Sequence, residues 1–432
     1  MAWSKIMDDF TEEWHHGLGL YVYPTKRFKT VTLYAAWIRD LDPEGRALGA
    51  MLPHVLKRGT ERWVTHTLME QQLEELYGAN FRADVGKLGD KQLLSFHITV
   101  VNGGFLPGNP DTVAGGLDFL TQVLEHPHLV QGQFPGDVVQ QEKELIKRQI
   151  SAQINDKGQY ALSRLVELIA DGQAFGLKKL GTHEEVDRVT PEQLVDFFEQ
   201  VQSQSPFVFL AVGDVDPDVI QRHIEKRWGH RERQRLTTIA PNAGQHAGHT
   251  VIERQRVRQG KLNLGYRTGI TAKDVDFPAL MMYAGVLGGF SHSKLFLHVR
   301  EKASLAYYAY ARLEPTLALM IIGAGIEFKD YEAARRIIEE QVNAIRRGEI
   351  SADEMAFTLK GYVNDMLSEE DSPGQLIGRQ LEHLLIGGGL SGPGLIRALE
   401  RVAIDDIVRV AQGVLLDTVY FLTEDGGAAH DA

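Results

Sequence analysis

The sequence predicts an α+β protein made of two diverged copies of one unit of about 200 residues, fused head to tail. Three observations point there. Runs rich in β-branched and aromatic residues, which suit a pleated surface, occur at 20–23, 31–37, 93–101 and 207–212. Long helical patterns fill the spaces, and the clearest covers 137 to about 154, where Val138, Val139, Leu145, Ile146, Ile150 and Ile154 recur near the helical period. This helix and the next, at about 159–169 after the NDKG break, are then repeated: residues 137–172 lie on 353–388 without a gap, 216 positions later, and NDKGQ falls on DSPGQ.

Other landmarks keep the same order along the chain. VTLYAAW from Val31 matches LNLGYRT from Leu262, and LYGAN from Leu76 matches LAYYA from Leu305. Arg188 and Val189 before one helix match Arg401 and Val402 before another, and FVFL and VYFL close the two copies. A first domain is therefore expected at 1–228, a linker at 229–249 and a second, homologous domain at 250–432. The linker is polar and without apolar period. Its basic run Arg231, Arg233 and Arg235, broken by Glu232, reads as solvated, as do His246 and His249.

At 432 residues the chain is too long for one ordinary core. Hydrophobic residues at 43% and charged residues at 24% exclude wholesale disorder and fibrous repeats. A formal net charge of -12 without a face-sized Lys/Arg cluster argues against a nucleic-acid partner. The absence of cysteine excludes disulfides, thiolate metal sites and cysteine nucleophiles. The start, MAWSKIMDDFTEEWHHG, is acidic without an apolar stretch, and no run approaches 18 apolar residues. The expectation is a cytoplasmic protein with no membrane partner.

Residues 43–60 read as a helix closing on the turn Gly59-Thr60, followed by LMEQQLEELYGANFRADV and then LLSFHITVV. That order of helix, GT turn, LYGA-type strand and paired strand, with a Glu-rich helix much later, resembles the inverzincin metallopeptidases of the insulinase, pitrilysin and mitochondrial processing peptidase family. The resemblance covers nearly the whole chain and is strongest to the short two-domain bacterial members. It implies for each copy a mostly antiparallel sheet with helices packed on one face, and a clam-shell arrangement of the two.

In that family the first copy's helix carries H-x-x-E-H. Histidines four residues apart share one helix face and bind zinc, while the Glu between them activates the zinc-bound water. A Glu from the long downstream helix completes the ligands. Counted back from Gly59-Thr60, the motif here reads Ala50, Met51, Leu52, Pro53, His54. Ala50 stands for a ligand and Pro53 for the base. Gln149, seven residues after Glu142, stands for the downstream carboxylate. No catalytic residue and no metal are expected in this chain, and His54 is expected to be a satisfied structural histidine. A proline inside a helix costs about 3 kcal/mol and kinks the axis. His183, Glu184 and Glu185 lack a partner motif and read as solvated, while His97 and the pair His15-His16 lie in or beside strands without an assigned role.

In the second copy Gly288 and Gly289 open the turn GGFSHSKLF, which leads into HVREKASLAYYAY. This is similar to the family's second-domain signature, in which an Arg and a Tyr grip a backbone carbonyl of the extended substrate. By position the pair is Arg300 and Tyr307. A guanidinium and a phenol both donate strongly to a carbonyl. Side chains alternate along a strand, so Tyr307 is expected to point opposite to Tyr308 and Tyr310, with one set in the core. The turn lacks the order of a phosphate loop, and Lys294 falls within the signature's helix.

Two functions follow from the resemblance. In the first, the chain is the non-catalytic, substrate-clamping subunit of a heterodimeric zinc endopeptidase acting on unfolded peptides or small proteins. Its partner is a paralogous chain with an intact H-x-x-E-H that holds the zinc, and isolated copies of the present chain are expected to pair as homodimers. The alternative is a scaffold or binding protein on the same fold without proteolytic role, like the core subunits of respiratory cytochrome complexes. The intact Arg300 and Tyr307 favour the first. A third reading, an active peptidase with a rearranged metal site, lacks the base and two ligands.

Overall fold

The computed structural model describes residues 10–240 and 248–425; His246 lies outside them. Among the described residues, six strands form the first sheet: β1 (Thr11–His15), β2 (Leu18–Pro24), β3 (Thr30–Asp40), β4 (Asn80–Leu88), β5 (Lys91–Val101) and β6 (Phe207–Gly213). Five form the second: β7 (His249–Gln255), β8 (Gly260–Arg267), β9 (Ala306–Glu314), β10 (Leu319–Ile326) and β11 (Leu415–Glu424). The orders are β1-β2-β6-β3-β5-β4 and β7-β11-β8-β10-β9. Without β1 they are the same order. Each sheet has one parallel pair, β2 with β6 and β7 with β11, and is otherwise antiparallel. The repeat seen in the helices is thus a repeat of topology.

The helices of the first copy are α1 (Arg46–Leu56), α2 (His66–Glu75), α3 (Thr112–Glu125), α4 (Gly136–Asn155), α5 (Lys157–Ala170), α6 (His183–Arg188), α7 (Pro191–Gln204) and α8 (Pro217–Trp228). Those of the second are α9 (Phe277–Ala284), α10 (Tyr331–Arg346), α11 (Ala352–Glu369), α12 (Pro373–Ile386), α13 (Gly392–Leu399) and α14 (Ile404–Gly413). The repeated pairs are α4–α5 and α11–α12. Several starts are written in the sequence: capping boxes join Thr182 to Glu185, Thr190 to Gln193 and Ser351 to Glu354.

Three local expectations need correction. The helix expected at 43–60 is α1, which is shorter and runs unbroken through Pro53, whose carbonyl still accepts from Lys57 N–H at 3.2 Å. LYGA is a turn rather than a strand, because Tyr77 and Gly78 take φ of 59° and 70°, and β4 begins at Asn80. Arg233 is not solvated. It packs 5.4 Å over the Phe207 ring and donates to Trp228 O at 3.0 Å, while Arg231 pairs with Glu125 at 3.1 Å.

Each sheet packs its own copy's helices on one face. Along β3, Val31, Leu33, Ala35 and Trp37 join Met51, Val55, Phe119 and Ile146 in the first core. Alternation sends Tyr34, Ala36 and Ile38 to the other face, yet they are equally buried. There α12 of the second copy lies across them with Leu376, Ile377, Leu381 and Leu385. Reciprocally, α5 of the first copy places Ala161, Leu165 and Ile169 on Leu319, Ile321, Tyr420 and Leu422 of the second sheet. Strand β6, FVFLAVG, is buried at all seven positions for this reason, and its unbroken apolar run is the pattern of a strand covered on both faces.

Polar contacts fasten the exchange. Glu370, 2% exposed, accepts from the Tyr23 hydroxyl at 2.5 Å, Arg379 at 2.8 Å and Arg27 at 3.2 Å. Glu253 accepts from Tyr160 of α5 at 2.7 Å and from Tyr420 at 2.9 Å. Buried Ile239 donates its N–H to Leu385 O at 2.7 Å, so the segment after α8 is anchored on the same interface.

Candidate functional site

The zinc-motif positions fall where α1 is pressed between the first sheet and α4. Ala50 and Pro53 are buried and carry no donor atom. On α4, Glu142 is 1% exposed and its carboxylate grips the Arg58 guanidinium across the helix pair. Gln149, two turns further on, is exposed. His54 is 6% exposed, and its Nε2 has no hydrogen-bond partner in the protein, so it is buried but not satisfied. Burial first, and nearby Lys57 second, push its pKa down to about 4. The ring is therefore neutral near pH 7 and stands alone. Among the described residues no group of three or more His, Cys, Asp or Glu is placed to hold a metal ion. The residues present do not fit a catalytic zinc.

The remaining histidine candidates resolve into local structure. Glu185 is not solvated as expected: it binds Arg46 through two bonds of 2.9 and 2.7 Å and closes the capping box of α6. His183 Nε2 lies 3.3 Å from Ser151 Oγ, and Glu184 sits in the first turn of the same helix. His97 meets the Tyr34 ring edge-on at 4.5 Å, and burial pushes its pKa down to about 4. His15 ends β1, and His16 takes φ of 49° in the turn to β2. His249 is exposed at the start of β7.

In the second copy, α9 continues into a π-helical segment at Gly285–Gly289. A Cβ on Gly288 would stand 2.3 Å from the Ala311 backbone nitrogen, whereas one on Gly289 meets nothing nearer than 3.6 Å. Gly288 is thus required by the close approach of this segment to β9, and Gly289 is not. Lys294 is buried with its Nζ 2.8 Å from Glu354, which leaves it no role at a phosphate. A second π-helical segment, Phe296–Lys302, packs on β9 and presents Arg300. The guanidinium lies 4.7 Å over the Phe296 ring, with Nε 3.8 Å from Glu301.

Strand β9 is an edge of its sheet. Its pairing with β10 slips: Tyr308 faces Gly325, but Ala306 faces Ile326. Tyr307 is the extra residue of a β-bulge, a device that re-aims a side chain. The bulge breaks the expected alternation, so Ala306, Ala309 and Ala311 enter the core and none of the three tyrosines does. Tyr308 and Tyr310 stack at 6.1 Å over the glycines Gly325 and Gly323. Tyr307 stands 63% exposed and donates its hydroxyl to Glu327 Oε1 at 2.8 Å, which raises its phenol pKa. Tyr307 is thus exposed on the edge strand and Arg300 on the segment packed against that strand, each held by its own local contact. Glu327 escaped the sequence reading. The bulge left a trace there, since the small residues 306, 309 and 311 are spaced by three and then two.

A cleft of about 590 Å³ opens between the copies, lined by Lys87 and Leu88 of β4, Tyr160 of α5, and Arg312 and Glu314 of β9. One edge strand of each sheet, β4 and β9, thus borders it. Among the described residues no helix is long and apolar enough to cross a membrane.

Fold and site together define a two-sheet, peptidase-like scaffold whose zinc-motif positions lack the expected ligands. The sequence profile described as "Peptidase M16 inactive domain" matches residues 188–362. The chain is 34% identical over 420 residues to the "Probable inactive metalloprotease YmfF" of Bacillus subtilis, covering 96% of this chain and 98% of that one. In structure it is similar to "a conserved protein from Enterococcus faecalis V583", with a TM-score of 0.88 at 25% identity over 98% of this chain and 100% of the other. It shares its fold with a "peptidase M16 inactive domain from Pseudomonas fluorescens", with a TM-score of 0.80 at 15% identity over 98% and 99% of the two chains. The chain belongs to the peptidase M16 family, as a non-catalytic member.

Proposed function

We propose that this chain is the substrate-clamping subunit of a heterodimeric zinc endopeptidase that acts on unfolded peptides or small proteins in the cytoplasm. Its partner is a paralogous chain with an intact H-x-x-E-H, which holds the zinc and performs the cleavage. The observation that carries this reading is the exposure of Tyr307 on the edge strand β9 and of Arg300 on the π-helical segment packed against it, within an otherwise complete signature. A strand edge offers unpaired N–H and C=O groups, so an extended peptide adds to β9 as a further strand. Arg300 and Tyr307 then bind its backbone and fix its direction and register. Neither reads a side chain. Selection therefore falls on whether a substrate extends and fits between the copies, not on its sequence. Without the partner, copies of this chain pair with one another and have no activity.

The purified chain is expected to show no chelator-sensitive cleavage of unfolded peptides, and its mixture with such a paralogue is expected to cleave them faster than the paralogue alone. Chelator-sensitive turnover by the chain alone contradicts the proposal. A mixture no faster than the paralogue alone replaces it with a scaffolding role.

A further inference from the structure

The cleft between the copies has a positive lining in a protein whose formal net charge is -12. Lys87, Lys178, Lys179 and Arg312 face a single carboxylate there, that of Glu314. Two of these cations are already neutralised, since Arg312 pairs with Glu314 at 2.7 Å and Lys178 with Glu167 at 3.2 Å. Lys87 and Lys179 are not. Among the described residues neither is in an ion pair: Lys87 Nζ donates to Phe175 O and to Leu177 O at 2.8 Å, and Lys179 Nζ to Val85 O at 2.7 Å. An ammonium has three donors, so one remains on Lys87 and two on Lys179. Withdrawing a charge from water without a counter-ion is costly. Burial accordingly pushes the Lys87 pKa down to about 8, with Glu167 and Glu314 opposing the shift and Arg46 and Lys179 adding to it. Ile150, Ile154, Leu162 and Val166 give the same cleft an apolar wall.

We propose that this cleft is a subsite for a carboxylate carried on an extended peptide: the free donors of Lys87 and Lys179 hold its oxygens, and the apolar wall takes the side chain beside it. This rests on the reading that the chain binds extended peptides, and not on the Arg300 and Tyr307 contacts themselves. Strand β9 joins the two places. It carries Tyr307 near its start and Arg312, on the cleft, five residues or about 17 Å further along. A peptide lying on β9 runs past both. The clamp holds backbone alone, so the cleft adds a preference of charge to a selection by extension. Peptides with a carboxylate about five residues from the clamped one are bound first. An Asp or Glu side chain and a free C-terminus offer the same chemistry.

The cleft is built from this chain alone, so the test needs no partner. Three peptides of one extended, apolar sequence, each with a neutral fluorophore at the N-terminus, are titrated with the purified full chain by fluorescence anisotropy. One has a free C-terminal carboxylate, one an amidated terminus and a single internal Glu, and one an amidated terminus with Gln in its place. At least one carboxylate peptide is expected to bind about ten-fold more tightly than the neutral one, the worth of a hydrogen bond to a charged group, and which one it is identifies the source. That comparison uses the unaltered chain and stands whatever the variants do to folding. The advantage should vanish in Lys87→Met and in Lys179→Met. It should persist in Lys178→Met, whose charge Glu167 already engages, and in Arg300→Ala. It should also shrink as the pH rises through about 8, where Lys87 loses its proton. Equal affinity for all three peptides overturns the subsite and leaves peptide binding standing, as does an advantage that survives in either Lys87→Met or Lys179→Met. If none of the three binds, the peptide-binding reading falls and the subsite falls with it.

Discussion

Helix α1 in the first copy and α9 with its π-helical continuation in the second follow equivalent strands, β3 and β8, and have been put to different uses. Helix α1 is buried from Gly49 to Leu56 and offers an isolated neutral histidine, with alanine and proline beside it. Its neighbouring edge strand β4 pairs with β5 in unbroken register from Asn80 to Leu88. The second copy departs from regularity at each matching point. Two π-helical segments replace plain helix, Gly288 lets one of them touch β9, and the bulge turns Tyr307 out to solvent. A duplicated topology supplies the same frame twice. What each copy can do is set by local irregularities and by the few side chains that they expose.

The comparison is first broken or sharpened at the interface, where each copy closes the other's sheet. Glu370 is 2% exposed beneath Tyr23, Arg27 and Arg379, whereas the Glu253 side chain is 25% exposed beside Tyr160 and Tyr420. Removing a buried, paired carboxylate strands its cations, so Glu370→Ala should cost about 3–5 kcal/mol in urea unfolding. Glu253→Ala should cost about 1–2 kcal/mol. Equal losses would remove the asymmetry claimed for the two contacts.

Acid should act on the first copy through His54. The unfolded chain takes up a proton on His54 near the ordinary value of about 6.5, the folded chain only near 4. Stability is then full above about pH 6.5, falls as the pH drops, and has lost about 3 kcal/mol from this residue by pH 4. His97, also held near 4 by burial, adds to the same fall. Denaturation at stepped pH should show a shallower decline in His54→Leu, and an unchanged slope would contradict the assignment.

The glycine turn separates its two residues. Gly288→Ala forces a methyl against the Ala311 backbone and should cost about 2 kcal/mol, while Gly289→Ala should stay within about 0.5 kcal/mol. Melting temperatures of the two variants decide it, and a larger loss at Gly289 would reverse the reading of the turn.

Much of this was legible in the sequence for physical reasons. Helices α4 and α5 announced themselves because a helix that buries one face must repeat apolar residues at its own period, as Ile146 and Ile150 or Leu165 and Ile169 do. The missing ligand at Ala50, the missing base at Pro53 and the amide in place of a carboxylate at Gln149 were equally plain, since no folding restores a ligand atom to alanine. Periodicity says which face is buried and not against what. The stripe of α5 was therefore readable, but its destination on the other copy's sheet was not. Arg233 looked solvated because composition cannot register a guanidinium lying on Phe207. The bulge defeated the rule of alternation, and with it the hydrogen bond from Tyr307 to Glu327, which joins residues 20 apart.

The smallest expected change in stability belongs to the residues with the largest expected effect on function. The Arg300 side chain is 44% exposed and Tyr307 is 63% exposed, so Arg300→Ala and Tyr307→Phe should each shift unfolding by less than about 0.5 kcal/mol. The most direct measurement is kcat/KM for an unfolded peptide in the mixture with an H-x-x-E-H paralogue, taken beside the melting temperature of each variant. The account predicts a fall of about ten-fold or more for each substitution at unchanged melting temperature. Unchanged kcat/KM in both variants would contradict it.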